Sequence, residues 1–291
     1  MKHEVSIEEL VFEAEARKCP ISEVVIEREV VAYETDREQL VQKMSQNWQI
    51  MKKAVEHGIK EGTKSFSGLV GEEGKLLFQY SEAKEPLSGK GTVLAAARAL
   101  GVAGVNASMG RIVAAPTAGS CGILPGVIQT VSEHYGSSEH QIIKSMFTAA
   151  GIGMVIDQGA SISGADGGCQ AECGAASSMA AAAAVELAGG TPRQAAHAAA
   201  IALKNVLGLV CDPVAGLVEV PCVKRNASGT ANALIAADMA LAGIESRIPF
   251  DEVIEAMSEV GRLLPNSLKE TALGGLANTP TAREIEKQLY K

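Results

Sequence analysis

The stretch CGAASSMAAAAAVELAGG, residues 173–190, decides the fold. Alanine is the strongest helix former, so the run predicts a helix, and one that lacks a polar face. A helix that is apolar all round is buried all round. The same stretch is also the most tempting membrane segment. Alanine and glycine gain little from hydrocarbon, and Glu186 interrupts the run, so a helix inside a soluble core is the expectation.

The rest of the chain fits around such a helix. Hydrophobic residues make up 47% of the 291 positions and aromatics only 3%, so the core must be built from small side chains. Small side chains let helices approach closely, which favours helix-on-helix layers over a sandwich of sheets. Helices are expected over 92–105, 123–134, 139–155, 172–188, 192–208, 227–243 and 250–263, with a short one after Pro280. Upstream, Ser6-Ile7-Glu8-Glu9 and Thr35-Asp36-Arg37-Glu38 have the capping-box form that starts a helix. After the second box, Val41, Met44, Trp48, Met51, Val55 and Ile59 form one apolar stripe on a long helix ending near Gly62. Residues 63–91, polar and glycine-bearing with Pro86, read as a long loop or hairpin. Sustained period-two alternation is sparse. The fold class expected is all-α: a compact bundle of buried Ala/Gly-rich helices carrying Gly-rich functional loops.

A net charge of −8 argues against nucleic acid, whose phosphates call for a Lys/Arg surface. The N-terminal stretch is acidic from position 4 onward and has no uncharged apolar run behind a basic start, so a secretory signal is not expected and a cytoplasmic location is. In that setting disulfides are not expected among the six cysteines, Cys19, Cys121, Cys169, Cys173, Cys211 and Cys222.

Five of those six fall in the glycine-rich middle, in three loops that look built for chemistry. The first runs from Ala115 to Gly126, APTAGSCGILPG. Its glycines free backbone N–H groups, a helix start follows, and the Thr117 and Ser120 hydroxyls can bind a carboxylate; a capped tight turn is the other reading. The second, SISGADGGCQAECG, spans 161–174 and offers Ser161, Ser163 and Gly164 to a substrate. The third, CDPVAGLVEVPC, spans 211–222. Buried structural cysteines tend to sit on helix faces, whereas thiolates that bind metal favour loops whose N–H groups can reach the sulfur. No CxxC pair suggests a zinc ribbon, and no CxxCxxC run suggests a ferredoxin. Cys169 and Cys173 are one helical turn apart and can share a face, although Cys173 can equally point into the packing of the alanine helix. Spacing alone leaves a structural role and a metal site both open.

Four strings carry a resemblance: VNASMGRIVAAPTAGSCGILPG, SISGADGGCQAECGAASSMAAAA, LKNVLGLVCDPVAGLVEVPCVKRNA and LPNSLKETALGGLA. Together they resemble the iron–sulfur L-serine dehydratases, specifically the α subunit of the two-subunit type, over about Met51 to Pro280. The resemblance implies a [4Fe–4S] cluster held by Cys169, Cys211 and Cys222, with one iron left open as a Lewis acid for the serine hydroxyl. Loss of the Cα proton then gives aminoacrylate, which ends as pyruvate and ammonia. It makes 63–291 the catalytic iron–sulfur domain and 1–62 a helical segment packed on it. Single-chain relatives carry a further domain and, in some, a terminal cysteine. This chain shows neither, ending Gln288-Leu289-Tyr290-Lys291, so a separately encoded β subunit and a higher oligomer of α–β pairs are expected.

The base is not legible. His3, His57, His134, His140 and His197 all lie outside the three loops, and Lys52, Lys53 and Lys204 read as solvated or ion-paired; a base from the β subunit is as good a reading. Cys121 is expected to line the substrate pocket and Cys19 to be a surface or packing thiol. Arg225 and Asn226 read as helix capping, with contact to substrate or partner as the sharper alternative, and Asn266-Ser267 reads as a helix start. Three rivals stand beside this function. Lys64-Ser65-Phe66-Ser67-Gly68 only faintly echoes the lysine motif of a pyridoxal-phosphate dehydratase. A different iron–sulfur lyase, such as a cysteine desulfidase, or a non-catalytic iron–sulfur sensor would use the same cysteines.

Overall fold

The computed structural model describes residues 5–291, and thirteen α-helices run through them. His3 and the first acidic residue, Glu4, lie outside the described residues. In chain order the helices are α1 (Ile7–Arg17), α2 (Ile21–Ala32), α3 (Arg37–Lys60), α4 (Glu73–Ala83) and α5 (Lys90–Ala107). Then come α6 (Ile123–Tyr135), α7 (Glu139–Gly159), the single turn α8 (Gly164–Gly167) and α9 (Ala175–Leu187), the last entered through a π-helical turn, Gln170–Gly174. The chain closes with α10 (Pro192–Lys204), α11 (Cys222–Leu241), α12 (Phe250–Leu263) and α13 (Pro280–Leu289). No β-strand forms among the described residues; one isolated bridge joins Cys211 to Lys269. The all-α expectation holds.

α9, the helix of the alanine run, is the axis of the fold. It is buried along almost its whole length and is enclosed by α6, α7, α10 and α11. Its serines tie it in place: Ser177 donates to the carbonyl of Gly229 on α11 and Ser178 to that of Ala199 on α10. Glu186 near its end accepts from the hydroxyls of Ser22 and Thr148, so α2 and α7 are fastened to the same carboxylate. Burial pushes that carboxyl above the usual carboxylate range, and the two hydroxyls oppose the shift. No helix among the described residues is long and apolar enough to cross a membrane.

Around this axis, α5 lies against α6 and α11, and α3 and α4 cover α5; α1 and α2 cover α7 and α10. Ile7, Leu10, Trp48 and Met51 of the N-terminal helices join the same apolar core as the alanines of α9. α1 begins with the expected capping box at Ser6 and Glu9. At α3 the cap is Asp36, accepting from Gln39 N–H at 2.7 Å, one position beyond Thr35.

Residues 63–91 depart from the loop or hairpin expected there, because 73–83 form α4. A Cβ on Gly74 would lie 2.5 Å from the backbone nitrogen of Gly101, so this glycine is where α4 crosses α5, not where a helix breaks. Gly58 of α3 meets the same spot, since a Cβ there would lie 2.3 Å from Gly101. Other helix ends also shift: α7 runs on to Gly159, past 155, and α9 proper begins at Ala175, after 172. α10 stops at Lys204, short of 208, and α11 begins at Cys222, before 227.

Candidate functional site

All four cysteines of the second and third loops are buried: Cys169 is 2% exposed, Cys173 4%, Cys211 2% and Cys222 8%. Cys169, Cys211 and Cys222 each sit in a different backbone setting. Cys169 precedes the π-helical turn, where Gln170 donates its N–H to Leu209, accepts from Gly208 and donates its side-chain amide to Met257. Fully buried Gln170 thereby ties the second loop to the approach of the third and to α12. Cys211 donates to the carbonyl of Leu268 and accepts from the N–H of Glu270, both within 2.9 Å, so a late segment of the chain flanks it. That segment was expected to start a helix at Asn266-Ser267 and instead makes a single short turn over 266–268. Cys222 is the first residue of α11, on the regular structure the loop reading had denied it.

Charge links the group. The sulfurs of Cys169 and Cys173 are 3.4 Å apart, on one helical face. Contact with Cys173, assisted by the guanidinium of Arg225, holds the Cys169 thiol below its usual range, while the same contact and burial push Cys173 up. Burial also raises Cys211, with the nearby charges of Cys169, Glu172 and Cys222 adding to it. Cys222 is pushed up to about 12, by burial first and Cys169 next.

Arg225, read from sequence as a capping residue, is central to this arrangement. It donates to the carbonyl of Val210 at 2.7 Å and to Asp212 at 2.8 Å, bracketing Cys211 from a helix whose first residue is Cys222. The other oxygen of Asp212 accepts the N–H of Leu276 at 2.8 Å, closing the late segment onto the loop. Asn226 accepts from Gly122 N–H and donates to the carbonyls of Gly119 and Cys222. It fastens the first loop to the start of α11.

Glu172 is the group that sequence reading missed. Its carboxylate accepts from the Thr117 hydroxyl at 2.8 Å. A Cβ on Gly164 would lie 2.8 Å from Glu172 Oε2 and 3.1 Å from the sulfur of Cys211, so the first and second loops and one thiol of the third meet at this carboxylate. Burial raises its pKa, and the Thr117 hydroxyl opposes the shift. The available signal was an ionisable residue between two cysteines in an otherwise uncharged Ala/Gly stretch.

The remaining sequence candidates divide. Thr117 and Gly164 stand at Glu172. Ser120 is fully buried beside Thr117, with its hydroxyl turned toward the carbonyls of Ala115 and Thr117. Ser161 donates to Asp166 and accepts from Ser163 N–H, and Ser163 caps α8, so both hydroxyls are engaged within their own loop. Cys121 does not line the site. It packs, fully buried, with Ala54, Val55, Ile59, Val102 and Val105, and burial lifts its thiol to about 12. Cys19 is half-buried against the main core. His57 pairs with Glu61, while His197 accepts from Ser246 N–H and Lys204 donates to the Ser246 hydroxyl, all away from the three loops. Ser67, from the faint lysine motif, reaches the third loop, donating to buried Glu219 at 2.5 Å.

The donor set is sulfur without imidazole, which suits soft thiophilic metal centres. Among the described residues no three His, Cys, Asp or Glu side chains converge as ligands of a single ion. A polynuclear iron–sulfur cluster binds thiolates at its outer corners and does not require that convergence. Three separately anchored thiols, with Arg225 to balance charge, fit such a cluster in kind.

The chain matches the family described as "Serine dehydratase alpha chain" over residues 16–277. It is 52% identical over 285 residues to "Probable L-serine dehydratase, alpha chain" of Bacillus subtilis (strain 168), covering 98% of this chain and 95% of that one. It is 44% identical over 283 residues to "L-serine dehydratase, alpha chain" of Peptoniphilus asaccharolyticus, covering 97% of each. With "L-serine dehydratase 1" of Escherichia coli (strain K12) it shares 48% identity over 181 residues, 62% of this chain but 40% of that longer one.

Proposed function

Because the chain belongs to the serine dehydratase alpha chain family, we propose that it is the catalytic subunit of an L-serine ammonia-lyase that converts L-serine to pyruvate and ammonia. The observation that carries the mechanistic part is the all-thiol group of Cys169, Cys211 and Cys222, buried and bracketed by Arg225. These three residues would hold a [4Fe–4S] cluster, which when bound supplies a Lewis acid that makes the serine hydroxyl a better leaving group. Arg225 offsets thiolate charge and keeps Cys211 and Cys222 in register. Glu172 faces the substrate ammonium, with Thr117 orienting its carboxylate and Gly164, which carries no Cβ, packing close against it. Ser120, Ser161 and Ser163 shape the loops that carry these groups. The base that takes the Cα proton is not assigned to a residue of this chain, and a separately encoded β subunit pairs with it. The helices of 1–62 support the catalytic domain, 63–291, and α–β pairs assemble further in the cytoplasm.

Anaerobic reconstitution with iron and sulfide, with and without the β subunit, tests this reading. About four irons per chain and serine-dependent pyruvate are expected. Sulfide release from L-cysteine in place of pyruvate from serine would favour a desulfidase, and an iron-loaded chain without turnover would favour a sensor. Glu172→Gln keeps the shape and the Thr117 contact but removes the charge. It is expected to lower kcat/KM for serine by roughly 10- to 100-fold, the scale of a hydrogen bond to a charged group, at unchanged iron content. An unchanged kcat/KM removes Glu172 from the substrate site.

A further inference from the structure

Cys173 has no part in the proposed chemistry, yet its sulfur is 3.4 Å from that of Cys169 and both are buried. The two residues lie one helical turn apart, Cys169 capping the π-helical turn and Cys173 within it. Such a separation places the Cα atoms about 6 Å apart, inside the range a disulfide spans. To reach bonding distance the sulfurs need close by only about 1.4 Å, a shift of side-chain torsions within one element.

We propose that Cys169 and Cys173 form a disulfide when the chain lacks its cluster and meets a peroxide, so that the pair is an oxidation site governing whether a cluster can be reloaded. The consequence for reloading rests on the cluster reading above; the disulfide itself does not. In the first step the Cys169 sulfur attacks the peroxide O–O bond. An S–O bond forms, the O–O bond breaks, and the departing hydroxide leaves as water with the Cys169 proton. The Cys173 sulfur then displaces the remaining hydroxyl. The S–S bond forms, the S–O bond breaks, and a second water leaves with the Cys173 proton. Two thiols are oxidised by two electrons and one peroxide is reduced to two waters. The oxidised chain has lost one of its three proposed ligands until a thiol reductant restores it.

The experiment uses the full chain, stripped of iron by chelation without oxygen, treated with hydrogen peroxide, alkylated and digested with trypsin. Residues 145–193 fall in one peptide holding Cys169 and Cys173, and 205–224 in another holding Cys211 and Cys222. The expected result is a 145–193 peptide lighter by two hydrogens that is alkylated only after dithiothreitol. Cys173→Ser should stop at a sulfenic acid on Cys169, trapped by dimedone. A link within 205–224, a link between the two peptides, or free alkylation of Cys169 and Cys173 after peroxide overturns the proposal. Iron uptake is measured on the same samples, absent in the oxidised chain and restored by dithiothreitol. A reduced chain that takes up no iron, with the 145–193 link present, sinks the cluster reading and spares the disulfide. Iron uptake without the link does the reverse.

Discussion

Serine in place of Cys169, Cys211 or Cys222, one at a time, is expected to abolish cluster retention and to cut serine-dependent pyruvate formation by about 1000-fold or more. The magnitude follows from losing a Lewis acid that contributes several kcal/mol to the barrier, at about 1.4 kcal/mol per factor of ten. A hydroxyl has nearly the shape of a thiol but is a hard, weakly acidic donor, so the substitution tests ligation more than packing. The anchors differ for each residue: the π-helical turn for Cys169, the Leu268 and Glu270 backbone for Cys211, and the first turn of α11 for Cys222. No single local rearrangement would therefore explain three equal losses. Cys121→Ala is the internal control. Its side chain packs in a separate apolar cluster, and iron content should stay at the wild-type level while thermal stability falls. Full iron and activity in any of the three serine variants removes that residue from the ligand set.

Gly58→Ala is expected to cost about 3 kcal/mol, at the upper end of what an added methyl costs in a packed core. The reason is the crossing of α3 and α5. The new Cβ would lie 2.3 Å from the carbonyl carbon of Gly101 and 2.4 Å from its Cα, backbone atoms that no rotamer change can move. Thermal unfolding of the cluster-free chain should shift down by roughly 6–12 °C. Gly91→Ala is the comparison. It lies on α5 with nothing within 4 Å of the added Cβ, and it should be neutral or stabilising by about 0.5–1 kcal/mol. Equal melting temperatures for the two variants would mean that the helices separate freely at Gly101. The displacement also reaches the site, because a Cβ on Gly122 of the first loop would lie 2.2 Å from the Ala99 carbonyl of α5.

These two cases show what sequence could and could not disclose. The alanine run announced α9 because its message is local: strong helix formers without a polar face have only burial open to them. The stripe from Val41 to Ile59 disclosed α3 for the same reason. α4 stayed hidden because Gly74 is a contact with Gly101, twenty-seven positions away, and a close approach between helices leaves in sequence only a glycine that resembles a breaker. The spacing of Cys169 and Cys173 left open a shared face and packing of Cys173 into the alanine helix; their sulfurs lie 3.4 Å apart and both residues join the main core. Arg225 and Glu172 were not legible, since their meaning lies in Val210, Asp212 and Thr117, partners set by tertiary packing. Ser161 and Ser163 spend their hydroxyls on the turns that contain them, as short polar side chains near backbone commonly do.

The bridging of Cys211 by the segment around Leu268–Glu270, and of Asp212 by Leu276, fixes an order of events in the cell. A ribosome releases the chain from its N-terminus, and the three thiols at 169, 211 and 222 emerge well before the residues that clamp the middle one. Throughout that interval Cys211 lacks both backbone partners, and Arg225 meets an Asp212 not yet held by Leu276. On the cluster reading proposed above, iron delivered to the nascent chain would find an unfinished cradle, and maturation would belong to the period after residue 276 has left the ribosome.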